Sequence, residues 1–258
     1  MVQLDSATIA FYDELAPHYH LLYPDWHLAI SKQGAALDAL LGELGVAPSD
    51  GVLDAASGIG TQSIGLLQRG YRLTASDISP KAIARLEHEI DARGLRASVY
   101  VDDMRDLVHV ESESVAAVLA CDNSIPHLLS DSEILQAFRT FYRCLRPGGV
   151  AVLSVRDYEA INRKSPDVRP YGLRYDGDRR FLAVQVWEWD ADQYDLSMYL
   201  ISQQANGACD TTVLKSRYYA ITIPRLLHLL TEAGFEQVER RDDVMFQPVL
   251  LGRRANAP

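Results

Sequence analysis

From Val52 to Val155 short apolar runs alternate with amphipathic ones, and this rhythm restricts the possible folds more than any other feature of the chain. Val52–Asp54 reads as a strand, Thr61 to Arg69 as a helix and Tyr71 to Ala75 as a second strand. Pro80 to Arg93 reads as a helix, with Ser79 as its cap and proline at the first helical position. Ala97 to Val101 is a third strand, and Val115 to Cys121 a fourth, apolar on both faces as a buried parallel strand must be. A helix over Asp131 to Leu145, ended by Arg146-Pro147-Gly148-Gly149, leads to a fifth strand, Val150 to Val155. Strands joined through helices cannot pair as hairpins; they pair in parallel, in an open sheet with helices on both faces.

The flanks extend this core. The first fifty residues read as helix, with an aromatic-rich set (Phe11, Tyr12, Leu15, Tyr19, Leu22, Tyr23) and a second segment from His27 to Leu44. After Arg156 the rhythm breaks. Phe181–Trp189, Tyr194–Ser202 and Thr211–Tyr219 read as strands with only turn residues between them, which predicts an inserted antiparallel sheet. A helix over Pro224–Ala233 and strands near Gln237–Arg241 and Pro248–Gly252 complete a mostly parallel sheet of seven strands. The expected division is an N-terminal helical segment (1–50), a core (51–156 with 221–254) and an insertion (157–220).

Charge and cysteine usage exclude several function classes. With 35 acidic and 25 basic side chains the net charge is −10, a field that repels nucleic-acid phosphates and anionic lipid, so neither is an expected partner. Cys121, Cys144 and Cys209 show no paired spacing, as in a reducing compartment, and no leader pattern or run of 18 apolar residues is seen. The expected localisation is therefore cytoplasmic. His18, His20 and His27 lack an acidic or cysteine ligand at zinc spacing, so no metal is expected. There is no Gly-x-Ser-x-Gly nucleophile turn.

The chemistry concentrates at strand ends. Val52-Leu53-Asp54-Ala55-Ala56-Ser57-Gly58-Ile59-Gly60 joins the first strand to the first crossover helix, and its small residues let a ligand approach the strand's carboxyl end closely. A tight structural turn is the bland reading. No Gly-Lys-Ser/Thr follows, which disfavours a triphosphate cradle. Asp77, 17 residues beyond Gly60, ends the second strand, where a carboxylate takes both hydroxyls of a ribose or caps the helix at Pro80. At this point the nucleoside can still belong to NAD.

Asp102-Asp103-Met104 after the third strand suits an exocyclic amine beside an apolar wall for adenine. Cys121-Asp122-Asn123-Ser124 ends the fourth strand, and Arg146-Pro147-Gly148-Gly149 precedes the fifth. Together these features resemble the class I methyltransferases that use S-adenosylmethionine, over about Val52 to Val155. The resemblance implies a Rossmann-like sheet and S-adenosylmethionine as cofactor, leaving as S-adenosylhomocysteine. It places Ser57, Gly58 and Gly60 at the methionine end, with Asp54 and Ala56 beside them, Ala56 standing where the family has its first glycine. Asp77 and Ile78 fall at the ribose, Asp103 and Met104 at the adenine, and Cys121 at the end of the fourth strand. Tyr19 belongs to an N-terminal helical segment folding over the cofactor, unless the N-terminal tyrosines are plain packing.

A narrower similarity is to the glycine and sarcosine N-methyltransferases, carried by Asn123-Ser124-Ile125-Pro126-His127-Leu128 and by Val155-Arg156-Asp157-Tyr158. It implies transfer to a small carboxylate-bearing amine, with the insertion and its Arg217-Tyr218-Tyr219 segment walling the acceptor site. A guanidinium fork grips a carboxylate in bidentate fashion, which makes Arg156 the expected clamp. Asn123 would orient the acceptor nitrogen, His127 would take a proton or hold a water, and Tyr218 would line the site. The alternatives are a structural ion pair for Arg156 with Asp157 or Asp122 and a core histidine for His127. Methylation of carbon or oxygen in a small carboxylic or 2-oxo acid is the second functional reading, and a non-catalytic cofactor-binding subunit the third. Trp187 and Trp189 share a strand face, expected to be packing; a homo-oligomer interface is the lesser alternative.

Overall fold

The computed structural model describes residues 6–256. A seven-stranded sheet runs in the order β10-β11-β5-β4-β1-β2-β3. Its strands are β1 (Gly51–Asp54), β2 (Arg72–Asp77), β3 (Ser98–Val101), β4 (Val115–Ala120), β5 (Leu145–Ser154), β10 (Glu236–Arg241) and β11 (Val249–Arg253). Only β11 runs against the rest: it pairs antiparallel with both β5 and β10, while β1 to β5 pair in parallel. The chain order reverses between β1 and β4, the switch point at which open sheets of this kind leave a crevice.

Helices α2 (Trp26–Glu43), α3 (Thr61–Leu67) and α4 (Pro80–Ala92) cover one face through Leu37, Leu41, Ile64 and Leu86. Helices α5 (Asp131–Cys144) and α6 (Ile223–Glu232) cover the other through Phe138, Phe141, Leu226 and Leu230. Phe138 and Phe141 are wholly buried, and each such side chain contributes about 1.5–3 kcal/mol by leaving water. Side-chain caps begin these helices where the sequence sets them: Asp25 accepts from the Leu28 amide, Ser79 from Ala82, Ser130 from Glu133 and Thr222 from Arg225. Each satisfies a backbone donor the first turn would leave unpaired.

A second, antiparallel sheet stands between β5 and α6: β6 (Asp167–Asp176), β7 (Arg179–Asp190), β8 (Gln193–Gln203) and β9 (Cys209–Tyr219), paired in chain order. Its β7, β8 and β9 match the three expected strands. β6 was not anticipated, because Pro170 and Gly172 break its pattern; its register against β7 shifts at the same two residues. A second correction concerns Leu145 and the Arg146–Gly149 turn, which open β5 and do not close α5. Helix α1 (Ser6–Leu15) lies on the inner face of the second sheet, where Phe11 and Leu15 pack with Phe181, Trp187, Tyr194 and Met198. A 3₁₀ turn (Tyr19–Leu22) then carries the chain back toward the main sheet. Among the described residues no helix is long and apolar enough to cross a membrane.

Candidate functional site

The carboxyl ends of β1, β2 and β4 open into a cavity of about 420 Å³. The turn after β1 forms its floor. Gly58 sits at φ +52° and its amide donates to Asp77 Oδ2 at 2.8 Å, while the Ser79 amide donates to Asp77 Oδ1 at 2.9 Å. Asp77 thus holds a backbone donor on each oxygen, with the Ile78 amide as a third, and keeps acceptor capacity for a ligand. Burial pushes its carboxyl above the usual range. Ala55, Ala56, Ser57, Ile78, Asp103, Met104 and Cys121 line the same space. Ser57 Oγ and Ser124 Oγ are buried on its wall without a hydrogen-bond partner among the described residues. Arg105 grips Asp103 through Nη2 at 2.6 Å and reaches Glu133 at 2.5 Å, so that part of the wall is held together by one guanidinium between two carboxylates.

A second cavity of about 300 Å³ lies between the main sheet and the antiparallel one. Arg156, Tyr171, Gln185, Met198 and Tyr218 line it, with Phe11 and Leu15 from α1. The Arg156 guanidinium carbon stands 5.4 Å from the centre of the Trp187 ring, and no carboxylate among the described residues is close enough to pair with it. Tyr218 stacks on Tyr194 with centroids 5.2 Å apart and meets the His127 ring at 4.1 Å. His127 faces the first cavity, its Nε2 in a 2.7 Å hydrogen bond with Tyr12 Oη and its Nδ1 3.5 Å from Ser216 Oγ.

The structure brings together most of the residues singled out in the sequence, but not all. Tyr19, Ala56, Ser57, Gly58, Asp77, Ile78, Asp103, Met104, Cys121 and His127 line the first cavity, and Arg156 and Tyr218 the second. Three do not reach either. Asp54 is buried behind the turn, where its Oδ2 accepts from Ser63 Oγ at 2.6 Å. Gly60 serves packing: at φ +95°, a Cβ there would come within 2.2 Å of Leu86 Cδ1. Asn123 spends its amide on the protein, Oδ1 accepting from the Arg156 amide at 3.0 Å and Nδ2 donating to Tyr158 Oη at 2.9 Å. It therefore fixes the backbone that carries Arg156, and it lines neither cavity.

Several lining residues escaped the sequence reading. Gln62, Tyr171, Gln185 and Met198 carry no motif, and only the folding of distant segments brings them to the cavities. No group of three or more His, Cys, Asp or Glu side chains among the described residues is arranged to hold a metal ion.

Comparison with known proteins adds four findings. A family model described as a methyltransferase domain matches residues 52–149. The glycine/sarcosine N-methyltransferase of Parasynechococcus marenigrum (strain WH8102) is 28% identical over 218 residues, 83% of this chain and 72% of that protein. A glycine/sarcosine N-methyltransferase of Aphanothece halophytica is 28% identical over 137 residues, and the match spans 53% of this chain and about half (51%) of that protein. Among solved structures, an S-adenosylmethionine-dependent methyltransferase from Clostridium acetobutylicum ATCC 824 superposes with a TM-score of 0.76 over 95% of this chain and 99% of its own, at 14% identity.

Proposed function

The chain belongs to the class I S-adenosylmethionine-dependent methyltransferases, and from that premise we propose that it methylates a small carboxylate-bearing amine held by Arg156. The observation that carries this reading is a guanidinium lining the second cavity without an ion pair among the described residues. An arginine stays charged at any physiological pH, and Asp122, whose carboxyl it pulls on from the same cavity, makes no ion pair with it, so its N–H donors are left for a ligand. A substrate carboxylate is the natural partner, received in bidentate fashion.

S-adenosylmethionine supplies a methyl group already activated on a sulfonium. Its parts fit the first cavity: the unpartnered Ser57 and Ser124 hydroxyls suit the polar methionine end, Asp77 a ribose diol, and Ile78 with Met104 an adenine face. The remaining work falls to the chain and is geometric. Arg156 fixes one end of the acceptor, while Tyr12, Tyr19 and Tyr23 close the space between the cavities and exclude water. Their ring faces favour positive charge. Holding two reactants in line supplies up to about 7–11 kcal/mol of a barrier. In this reading the N-terminal segment 1–50, of which 1–5 lie outside the described residues, covers the cofactor through residues 6–50, while 51–156 with 221–254 bind it and 157–220 wall the acceptor. Acid methylation at carbon or oxygen, with His127 as base, is the weaker reading, because Nε2 is already engaged by Tyr12.

The test is an acceptor screen with radiolabelled S-adenosylmethionine over amino acids, methylated amines and 2-oxo acids, run beside Arg156→Ala. The expected result is label in a carboxylate-bearing amine. The variant is expected to lose about a hundredfold in kcat/KM, the scale of hydrogen bonds to a charged group, while still binding S-adenosylhomocysteine. Label confined to acceptors without a carboxylate, or full activity of the variant, overturns the reading.

A further inference from the structure

The two cavities share four lining residues, Tyr12, Tyr19, Tyr23 and Asp122. Whatever reacts across the junction meets these side chains, and Asp122 is the one carboxylate of the set. Its position follows from an unusual turn. Asp122 and Asn123 both lie in the left-handed region, at φ +57° and +66°, a conformation that asparagine and aspartate tolerate best among residues with a Cβ. The Asp122 amide donates to Ser154 Oγ at 2.7 Å and the Asn123 amide to the Ser154 carbonyl at 2.9 Å, so the turn is tied to the end of β5. Asp122 Oδ2 accepts from Tyr23 Oη at 3.1 Å. Oδ1 has no hydrogen-bond donor among the described residues, although it lies at the boundary of two cavities. A strained turn that holds a half-paired carboxylate at such a junction is a feature that a ligand completes.

We propose that Asp122 receives the acceptor's ammonium group and takes a proton from it at Oδ1, so that the site selects a zwitterion with its carboxylate on Arg156 and its nitrogen on Asp122. This rests on the reading that the acceptor is a carboxylate-bearing amine. In the step, an N–H bond breaks and its electron pair stays on nitrogen as the lone pair that methyl transfer requires. The proton forms an O–H bond on Asp122 Oδ1 and passes to solvent when the product leaves.

The surroundings agree. Asp122 is faced by Tyr19 and Tyr23 from the N-terminal segment, Tyr171 from β6, Arg156 after β5 and Cys121 beside it. Burial pushes the Tyr12, Tyr19 and Tyr23 hydroxyls far up, so none of them takes a proton as a phenolate. Burial also raises the Asp122 carboxyl against the opposing pull of Arg156 and of the Tyr23 hydrogen bond. That narrows its gap to an ammonium.

The experiment measures binding by calorimetry to protein saturated with S-adenosylhomocysteine, using two matched pairs: sarcosine with methoxyacetate, and phenylalanine with 3-phenyllactate. Each pair keeps the carboxylate and exchanges nitrogen for oxygen. The parent is expected to bind an amine member. Asp122→Asn, which keeps the left-handed preference, is expected to weaken that member by about tenfold or more and to leave its oxygen partner unchanged or bound more tightly. Below the ammonium pKa, kcat/KM of the variant is expected to climb about tenfold per pH unit with the free-amine fraction, more steeply than in the parent. If the asparagine variant does not fold, Asp122→Gly, also at home at positive φ, repeats the test.

Equal weakening of both members, no weakening, or a pH profile parallel to the parent's overturns the proposal. So does weakening confined to S-adenosylmethionine relative to S-adenosylhomocysteine, which would assign Asp122 to the sulfonium. Parent protein that binds the oxygen members but not the amines overturns the amine reading beneath this proposal as well, whereas equal weakening by Asp122→Asn overturns this proposal alone. Parent protein that binds no member of either pair overturns the carboxylate-bearing reading beneath it.

Discussion

The Gly58 amide donates to Asp77 Oδ2 at 2.8 Å, which ties the turn after β1 to the end of β2. The bond makes one object of two motifs that lie 19 residues apart in the chain. A glycine at φ +52° turns its amide toward the carboxylate, and the carboxylate in turn holds that amide where a ligand passes. A side chain at this glycine would close on Tyr19, whose Cε1 lies 3.4 Å from the position of a Cβ.

Asp77→Asn is expected to weaken S-adenosylhomocysteine binding by about 10- to 100-fold, as hydrogen bonds to a charged group are worth about 1.5–3 kcal/mol. An asparagine has one acceptor oxygen where the carboxylate has two. It therefore cannot satisfy the Gly58 and Ser79 amides and a ribose diol together. Calorimetric titration reads the loss. Unchanged affinity would restrict Asp77 to holding the turn.

Gly60→Ala separates packing from ligand contact. With φ at +95° and Leu86 Cδ1 2.2 Å from the new Cβ, the variant must strain the backbone and push the Leu86 side chain aside. The left-handed conformation alone costs about 1–2 kcal/mol, so Tm is expected to fall by about 2–8 °C. Protein still folded at low temperature is expected to bind S-adenosylhomocysteine as the parent does. A variant of full thermal stability and weakened binding would return Gly60 to the cofactor.

The strand-end motifs were legible because each is local: a small-residue turn after an apolar run, or a carboxylate after the next one, is written in a few consecutive residues. Gly60 and Asn123, which line neither cavity, were singled out for the same reason. Nothing in a short motif distinguishes a glycine that admits a ligand from one that admits Leu86, nor an amide that faces a substrate from one that holds the Arg156 backbone. The junction between the cavities was less legible still. Tyr12 reaches His127 across 115 residues and Tyr23 reaches Asp122 across 99. Such pairings depend on how α1 and the turn after it return over the sheet. β6 was hidden by its own Pro170 and Gly172, which an edge strand tolerates.

Asp54 makes stability depend on pH. Burial pushes its carboxyl up to about 6 against the hydrogen bonds from Ser63 and the Ala56 amide, whereas an unfolded aspartate titrates near about 3.9. The folded state thus binds the extra proton between these values, and stability falls as pH rises from about 4 to about 6, then levels. A shift of about two units corresponds to roughly 3 kcal/mol. Other buried carboxylates titrate as well, so the clean quantity is the difference between parent and Asp54→Asn, which carries no charge here. Urea unfolding at intervals from pH 4 to pH 7 is expected to show the variant gaining on the parent across that window and holding the gain above it. A difference that stays constant with pH would mean that Asp54 ionises in the folded protein as easily as in the unfolded chain.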